Sequence, residues 1–289
     1  MKVLITGADG QLGKCLINVF EGNAEIYALN RQALDITDEK LVSDTVKSIQ
    51  PNIIINAAAY TAVDKAETEK EQAYAINALG PKYLAIASSQ SNSLLIHIST
   101  DYVFDGKKET PYNEVDITNP QSVYGKTKLD GENFVNKFCD KHIILRTSWV
   151  FSEYGNNFVK TMLKLANKDE LNIVGDQIGG PTYAMDIAQT ILKITDKLQK
   201  PNEYYGTYHF SGAPYCSWFS FAEYIFNEVK KLNVVGNLPK VKLIPTLDYP
   251  TPAVRPLNSK LDNTKLLNNF GIQPSDWHTA LSKIENFKG

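Results

Sequence analysis

Tyr124 and Lys128, four residues apart in Ser122-Val123-Tyr124-Gly125-Lys126-Thr127-Lys128, are spaced for proton transfer. If this stretch opens a helix, the two side chains stand one above the other on one face. An ammonium beside a phenol favours the phenolate and lowers a pKa that is about 10 when unperturbed. A tyrosine tuned in this way can serve as a general acid near neutral pH. The spacing by itself is common on exposed helices, so its meaning depends on whether other elements bring a cofactor to it.

Such an element stands at the amino terminus. Residues 2–6 read as a short buried strand, followed by Gly7-Ala8-Asp9-Gly10-Gln11-Leu12-Gly13 and a helical pattern through Leu16, Ile17 and Phe20. Strand, glycine turn and helix is the arrangement that binds a pyrophosphate. The glycines let backbone approach the ligand, and the helix start supplies N–H groups and positive potential. A second strand, Glu25 to Leu29, ends at Asn30-Arg31. A basic residue there accommodates the 2′-phosphate of NADP, so Arg31 tilts the choice toward NADPH over NADH. Asp35, in Leu34-Asp35-Ile36, is an acceptor that could face the adenine edge, and Thr37 or Asp38 can cap a helix over Leu41 to Ile49.

Further strands are expected at Ile53–Ile55, Leu94–Ser99 and His142–Arg146, alternating with helices, which argues for a parallel sheet with right-handed crossovers. Ligands of such sheets lie outside the carboxyl ends of the strands. The small residues of Asn56-Ala57-Ala58-Ala59-Tyr60-Thr61 leave room for a cofactor there. Thr100, at the end of the fourth strand, has a hydroxyl placed to bond a substrate carbonyl. The long polar loop from Gly106 to Gln121 then delivers the chain to Tyr124. After Phe151, Gly155-Asn156-Asn157-Phe158 opens a helix to Leu165, and helix signals recur at Met185–Lys197, Phe219–Leu232 and Asn263–Asn269. Pro250 to Pro256 reads as an ordered loop carrying Arg255.

Composition sets limits. With 289 residues, one large domain plus a lobe or a second domain is expected. A net charge of -2 argues against nucleic acid or an anionic membrane surface as partner. The first apolar run is too short for a signal-peptide core or a membrane span, so a cytoplasmic protein is expected. The three cysteines, Cys15, Cys139 and Cys216, show neither a disulfide framework nor metal-ligand spacing.

Taken in order, Gly7 to Gly13, Asn56 to Ala59, Ser99-Thr100-Asp101-Tyr102-Val103-Phe104-Asp105-Gly106, Tyr124-x-x-x-Lys128, Arg146-Thr147-Ser148-Trp149-Val150-Phe151 and Pro250 to Pro256 resemble the dTDP-4-dehydrorhamnose reductases, a branch of the extended short-chain dehydrogenase/reductases. The glycine and Tyr-x-x-x-Lys motifs are generic to the superfamily, and the other stretches select the branch. The resemblance implies an α/β fold, a Rossmann-type doubly wound parallel sheet with a smaller mixed C-terminal substrate-binding lobe. Residues 1–150 would bind NAD(P), and 151–289 would form mainly the lobe, with segments around 171–200 returning to the sheet domain. It also implies reduction of the C4 ketone of dTDP-4-dehydro-β-L-rhamnose by NADPH or NADH, in the making of an activated sugar for polysaccharide.

By the same matching, Tyr124 would protonate the new alkoxide. Lys128 would bond the nicotinamide ribose and lower the tyrosine pKa, and Thr100 would bond the sugar. Asp101 and Trp149 would line the sugar pocket, with Trp149 offering a flat apolar face. Gly7, Gly10, Gln11, Leu12, Gly13, Arg31, Asp35, Ile36, Ala58, Ala59, Tyr60 and Thr61 would surround the dinucleotide. Arg255 is a candidate for the nucleotide phosphates or for a structural role. Some members are magnesium-bridged dimers through a glutamate in the first helix, where this chain has Lys14 or Cys15. No metal is therefore expected, and the protein is expected to be a monomer or homodimer. Other enzymes of 4-keto-6-deoxy nucleotide sugars, and a non-catalytic NADP-binding subunit of the methionine adenosyltransferase type, remain as alternatives. Thr100, Tyr124 and Lys128 together favour an enzyme.

Overall fold

The computed structural model describes residues 1–198, 204–232 and 238–288. Its centre is a six-stranded, wholly parallel sheet. Five strands are β1 (Lys2–Thr6), β2 (Glu25–Leu29), β3 (Ile53–Asn56), β4 (Leu94–Thr100) and β5 (His142–Thr147). The sixth, Gly206–His209, comes from far along the chain, and the order across the sheet is Gly206–His209, β5, β4, β3, β1, β2. Strand order turns between β1 and β3, which opens a crevice beyond their carboxyl ends.

The inner strands β1, β3, β4 and β5 are apolar runs because helices cover both faces. Val3, Ile5, Ile53, Ile55, Ile96 and Leu145 point toward α1 (Gln11–Phe20) and a later helix, Ala184–Lys197. Leu4, Ile54, Leu95 and Ile144 point to the opposite side, against α2 (Glu39–Ile49) and a long helical stretch. Asp38 caps α2, its side chain accepting from the Leu41 N–H at 2.9 Å. The long stretch begins with α3 (Val63–Ala66) and α4 (Lys70–Tyr74), widens into one π-turn over Ala75–Leu79, and continues as α5 (Gly80–Gln90).

Ser122 caps α6 (Val123–Phe138), accepting from the Gly125 N–H at 3.1 Å, so the Tyr124–Lys128 pair does open a helix. Glu67 adds a second cap by accepting from the Val123 N–H at 2.8 Å. A separate core forms the lobe. It packs α7 (Phe158–Lys164) and the helix Trp218–Lys231 around Phe151, Phe221, Trp277 and Phe287. The strands Glu170–Val174 and Lys240–Ile244 pair in parallel beside it. No helix among the described residues is long and apolar enough to cross a membrane.

Candidate active site

Two cavities open on the carboxyl-end side of the sheet. The first, about 430 Å³, is lined by Gly7, Asp9, Gly10, Asn30, Arg31, Asp35, Ile36 and the run Ala57 to Ala62. It is built on backbone approach. Gly7 has φ +70°, and a Cβ there would stand 2.7 Å from the Ala58 backbone nitrogen. At Gly13 a Cβ would stand 2.2 Å from the Gly7 carbonyl oxygen. Gly10 is the N-cap of α1 and no side chain bonds the first turn, whose N–H groups are left for an anion. These residues fit a dinucleotide.

The residues expected around the dinucleotide divide into two sets. Gly7, Gly10, Arg31, Asp35, Ile36, Ala58, Ala59, Tyr60 and Thr61 line the cavity. Leu12 is buried in the sheet core, and the Gln11 side chain turns away to residues 152–157. Asp35 accepts from the Thr37 N–H at 3.0 Å and its hydroxyl at 2.7 Å, and pairs with Arg31 at 3.5 Å. Burial works against the Asp35 charge, but Thr37 and Arg31 hold its carboxyl below the usual range. Its Oδ1 is thus engaged by Thr37, while Oδ2 faces Arg31 at the cavity wall.

The second cavity, about 400 Å³, lies between sheet domain and lobe, lined among others by Asp64, Tyr102, Trp149, Phe158, Trp218 and Arg255. Trp149 has φ +49°, a left-handed backbone that a bulky residue adopts only when its surroundings impose it. The surroundings are visible. Trp218 stacks on one indole face at 3.5 Å with planes 8° apart. Gly179 covers the other, since a Cβ there would stand 2.5 Å from Trp149 Cε2. Trp149 therefore does not offer a free face to a sugar; both faces are taken by protein. Trp218 is a cavity aromatic that the sequence did not reveal, because nothing in it links positions so far apart. Arg255 bonds Asp64 at 2.7 Å, and its Nη1 is buried without a hydrogen-bond partner.

Thr100, Tyr124 and Lys128 lie at the carboxyl end of β4 and on the first turns of α6, and none of them lines either cavity wall. They adjoin the second cavity through Tyr102, whose ring meets that of Tyr124 edge-on at 5.3 Å. Thr100 donates to Asp101 Oδ1 at 3.0 Å. Asp101 is buried, which pushes its carboxyl up to about 6 against the pull of Ser259 and Thr100.

The expected relation between Tyr124 and Lys128 is corrected here. Burial, aided by Asp101 and Tyr102, pushes the Tyr124 phenol above its ordinary value, and the group working against this is the Thr100 hydroxyl. Lys128 does not act on it. Its Nζ donates to the Ile98 carbonyl at 2.6 Å, and burial draws its pKa down to about 8 against the attraction of Glu132. Helical spacing brings the two residues onto one face but leaves open where an ammonium on four methylenes ends.

Asn77 was also missed. It sits in the π-turn, accepting from the Tyr60 N–H at 2.8 Å and donating to the Tyr60 carbonyl at 3.1 Å and to Thr127 at 3.3 Å. It fixes the Ala59–Thr61 wall of the first cavity to α6. Asn77 is fully buried, and its amide is satisfied by these partners from elsewhere in the chain, which no local spacing announces.

Residues 1–287 match the RmlD substrate binding domain family. A dTDP-4-dehydrorhamnose reductase of Aggregatibacter actinomycetemcomitans is 52% identical, covering 99% of both chains. The chain belongs to the dTDP-4-dehydrorhamnose reductase family. Two solved members of the family share its shape. A reductase from Clostridium acetobutylicum has TM-score 0.93 at 43% identity and covers 100% of both chains. One from Bacillus anthracis, solved in complex with NADP, has TM-score 0.91 at 41% identity and covers 98% of this chain and 99% of its own.

Proposed function

We infer that the protein reduces the C4 ketone of dTDP-4-dehydro-β-L-rhamnose to dTDP-β-L-rhamnose with NADPH or NADH. The observation that carries this is the position of Thr100 and Tyr124 beside the sugar-sized cavity, in a chain 52% identical over its length to a reductase of that name. The glycine turn and the walls from Asn30 to Ile36 and Ala57 to Ala62 would hold the dinucleotide, which supplies hydride when bound.

The chain's own residues then have three tasks. Tyr124 holds a proton: burial keeps its phenol neutral, the form that can donate to an oxygen becoming an alkoxide. Thr100 has one O–H proton, and turning it from Asp101 to the phenol oxygen lowers the cost of the phenolate left behind. Lys128, charged below about pH 8 and fixed on the Ile98 carbonyl, would supply the cation for the nicotinamide ribose. Asp64 and Arg255 set the far wall, where a guanidinium held by Asp64 suits a diphosphate. Loss of NADPH absorbance on adding dTDP-4-dehydrorhamnose, with dTDP-rhamnose formed, is the expected result. Tight NADPH binding without turnover of any 4-keto nucleotide sugar would favour the binding-module reading instead.

A further inference from the structure

Gln11 sits in the first turn of α1, yet its amide reaches across to the lobe. Gln11 Oε1 accepts from Asn157 Nδ2 at 2.9 Å and from Ser152 Oγ at 3.0 Å, and Gln11 Nε2 donates to the Asn156 carbonyl at 3.4 Å. Gly155, with φ +62°, lets the loop close on it, since a Cβ there would stand 3.1 Å from Gln11 Cγ. Asn157 is at once the N-cap of α7, accepting from the Lys160 N–H at 3.1 Å, and it also donates to the Ser152 carbonyl at 2.7 Å. The helix it caps carries Phe158, Thr161 and Met162, all of them walls of the second cavity. One amide therefore joins the turn suited to a diphosphate to the helix that shapes the sugar cavity.

We propose that Gln11 is a positioning residue that couples the two cavities, so that filling one favours filling the other. An occupied first turn holds the α1 N-terminus still. Gln11 passes that order to Asn157, and the capped end of α7 is set before the second ligand arrives. The second ligand then meets a helix already ordered, and by reciprocity the effect runs both ways. This rests on the reductase reading above.

The test uses NADPH and dTDP-rhamnose, which are both reduced and cannot react with each other. The NADPH dissociation constant is measured with and without saturating dTDP-rhamnose, for the native chain, for Gln11→Met and for Asn157→Ser. Methionine keeps the length of glutamine without its hydrogen bonds, and serine keeps an N-cap oxygen but cannot reach Gln11. The native ratio of the two constants is expected at about 5-fold or more, and both variants should bring it below about 2-fold. A purely structural role would shift both constants together and leave the ratio alone. A native ratio of one, or a native-like ratio in both variants, overturns the proposal. If the native chain fails to reduce the keto sugar, the functional reading falls; normal turnover with unchanged coupling sinks only the role of Gln11.

Discussion

The two cavities are similar in size and opposite in construction. The first is floored by main chain, with Gly7, Gly10 and a row of alanines drawn from the ends of adjacent parallel strands. The second is made of large side chains from distant segments, with Trp149 from the end of β5, Phe158 from α7, Trp218 from a later helix and Arg255 from a proline-rich loop. A surface of backbone can be altered only by colliding with it. One of side chains can be trimmed in steps. The first therefore tolerates little change, and the second is where a reductase of this shape can vary the sugar it takes.

Substitutions can break this contrast or sharpen it. The largest effect belongs to neither cavity but to the junction: Tyr124→Phe should lower kcat by about 10²- to 10⁴-fold with NADPH affinity kept. A variant retaining most of its kcat removes Tyr124 as proton donor. Next is Gly13→Ala, whose Cβ would stand 2.2 Å from the Gly7 carbonyl. Overpacking against backbone costs ~3 kcal/mol of stability, read as a lowered Tm with weakened NADPH binding, and a native Tm with native binding would show the glycine turn to be softer than described. Trp218→Ala should act only on the sugar side, raising KM for the keto sugar about 2- to 10-fold with the NADPH constant unchanged. An equal effect on both ligands would erase the contrast.

Smaller effects follow. Lys128 is charged below about 8, so kcat/KM should fall as pH rises through that value, and Lys128→Met should lack that limb. A native profile with no decline there means the charge is not used. Arg31 is exposed and shared with Asp35, so Arg31→Asp should move the NADPH-to-NADH preference by only about fivefold, the scale of an exposed charge. An unmoved ratio of kcat/KM for the two cofactors removes Arg31 from selection.

What could be read from the sequence follows the same divide. β1, β3, β4 and β5 announce themselves because strands buried on both faces are apolar runs bounded by turn residues. Asp38 and Ser122 mark their helices by local cap chemistry. The sixth strand, Gly206–His209, is four residues with little apolar content, and only its partner β5 makes it a strand. The π-turn around Asn77 and the Trp149–Trp218 stack are products of tertiary packing, without local spacing to betray them. The direction of the Tyr124 pKa was misread because burial is a property of the assembled site, whereas the four-residue spacing is a property of one helix.

The stacked indoles also decide what light can report. The chain has 3 tryptophans. Trp149 and Trp218 form the stack in the second cavity, and Trp277 is buried in the lobe core. Neither core flanking the sheet contains a tryptophan. Tryptophan emission is thus a signal of the lobe and of the cavity it shares with the sheet domain, with no such emitter inside the two cores that flank the sheet.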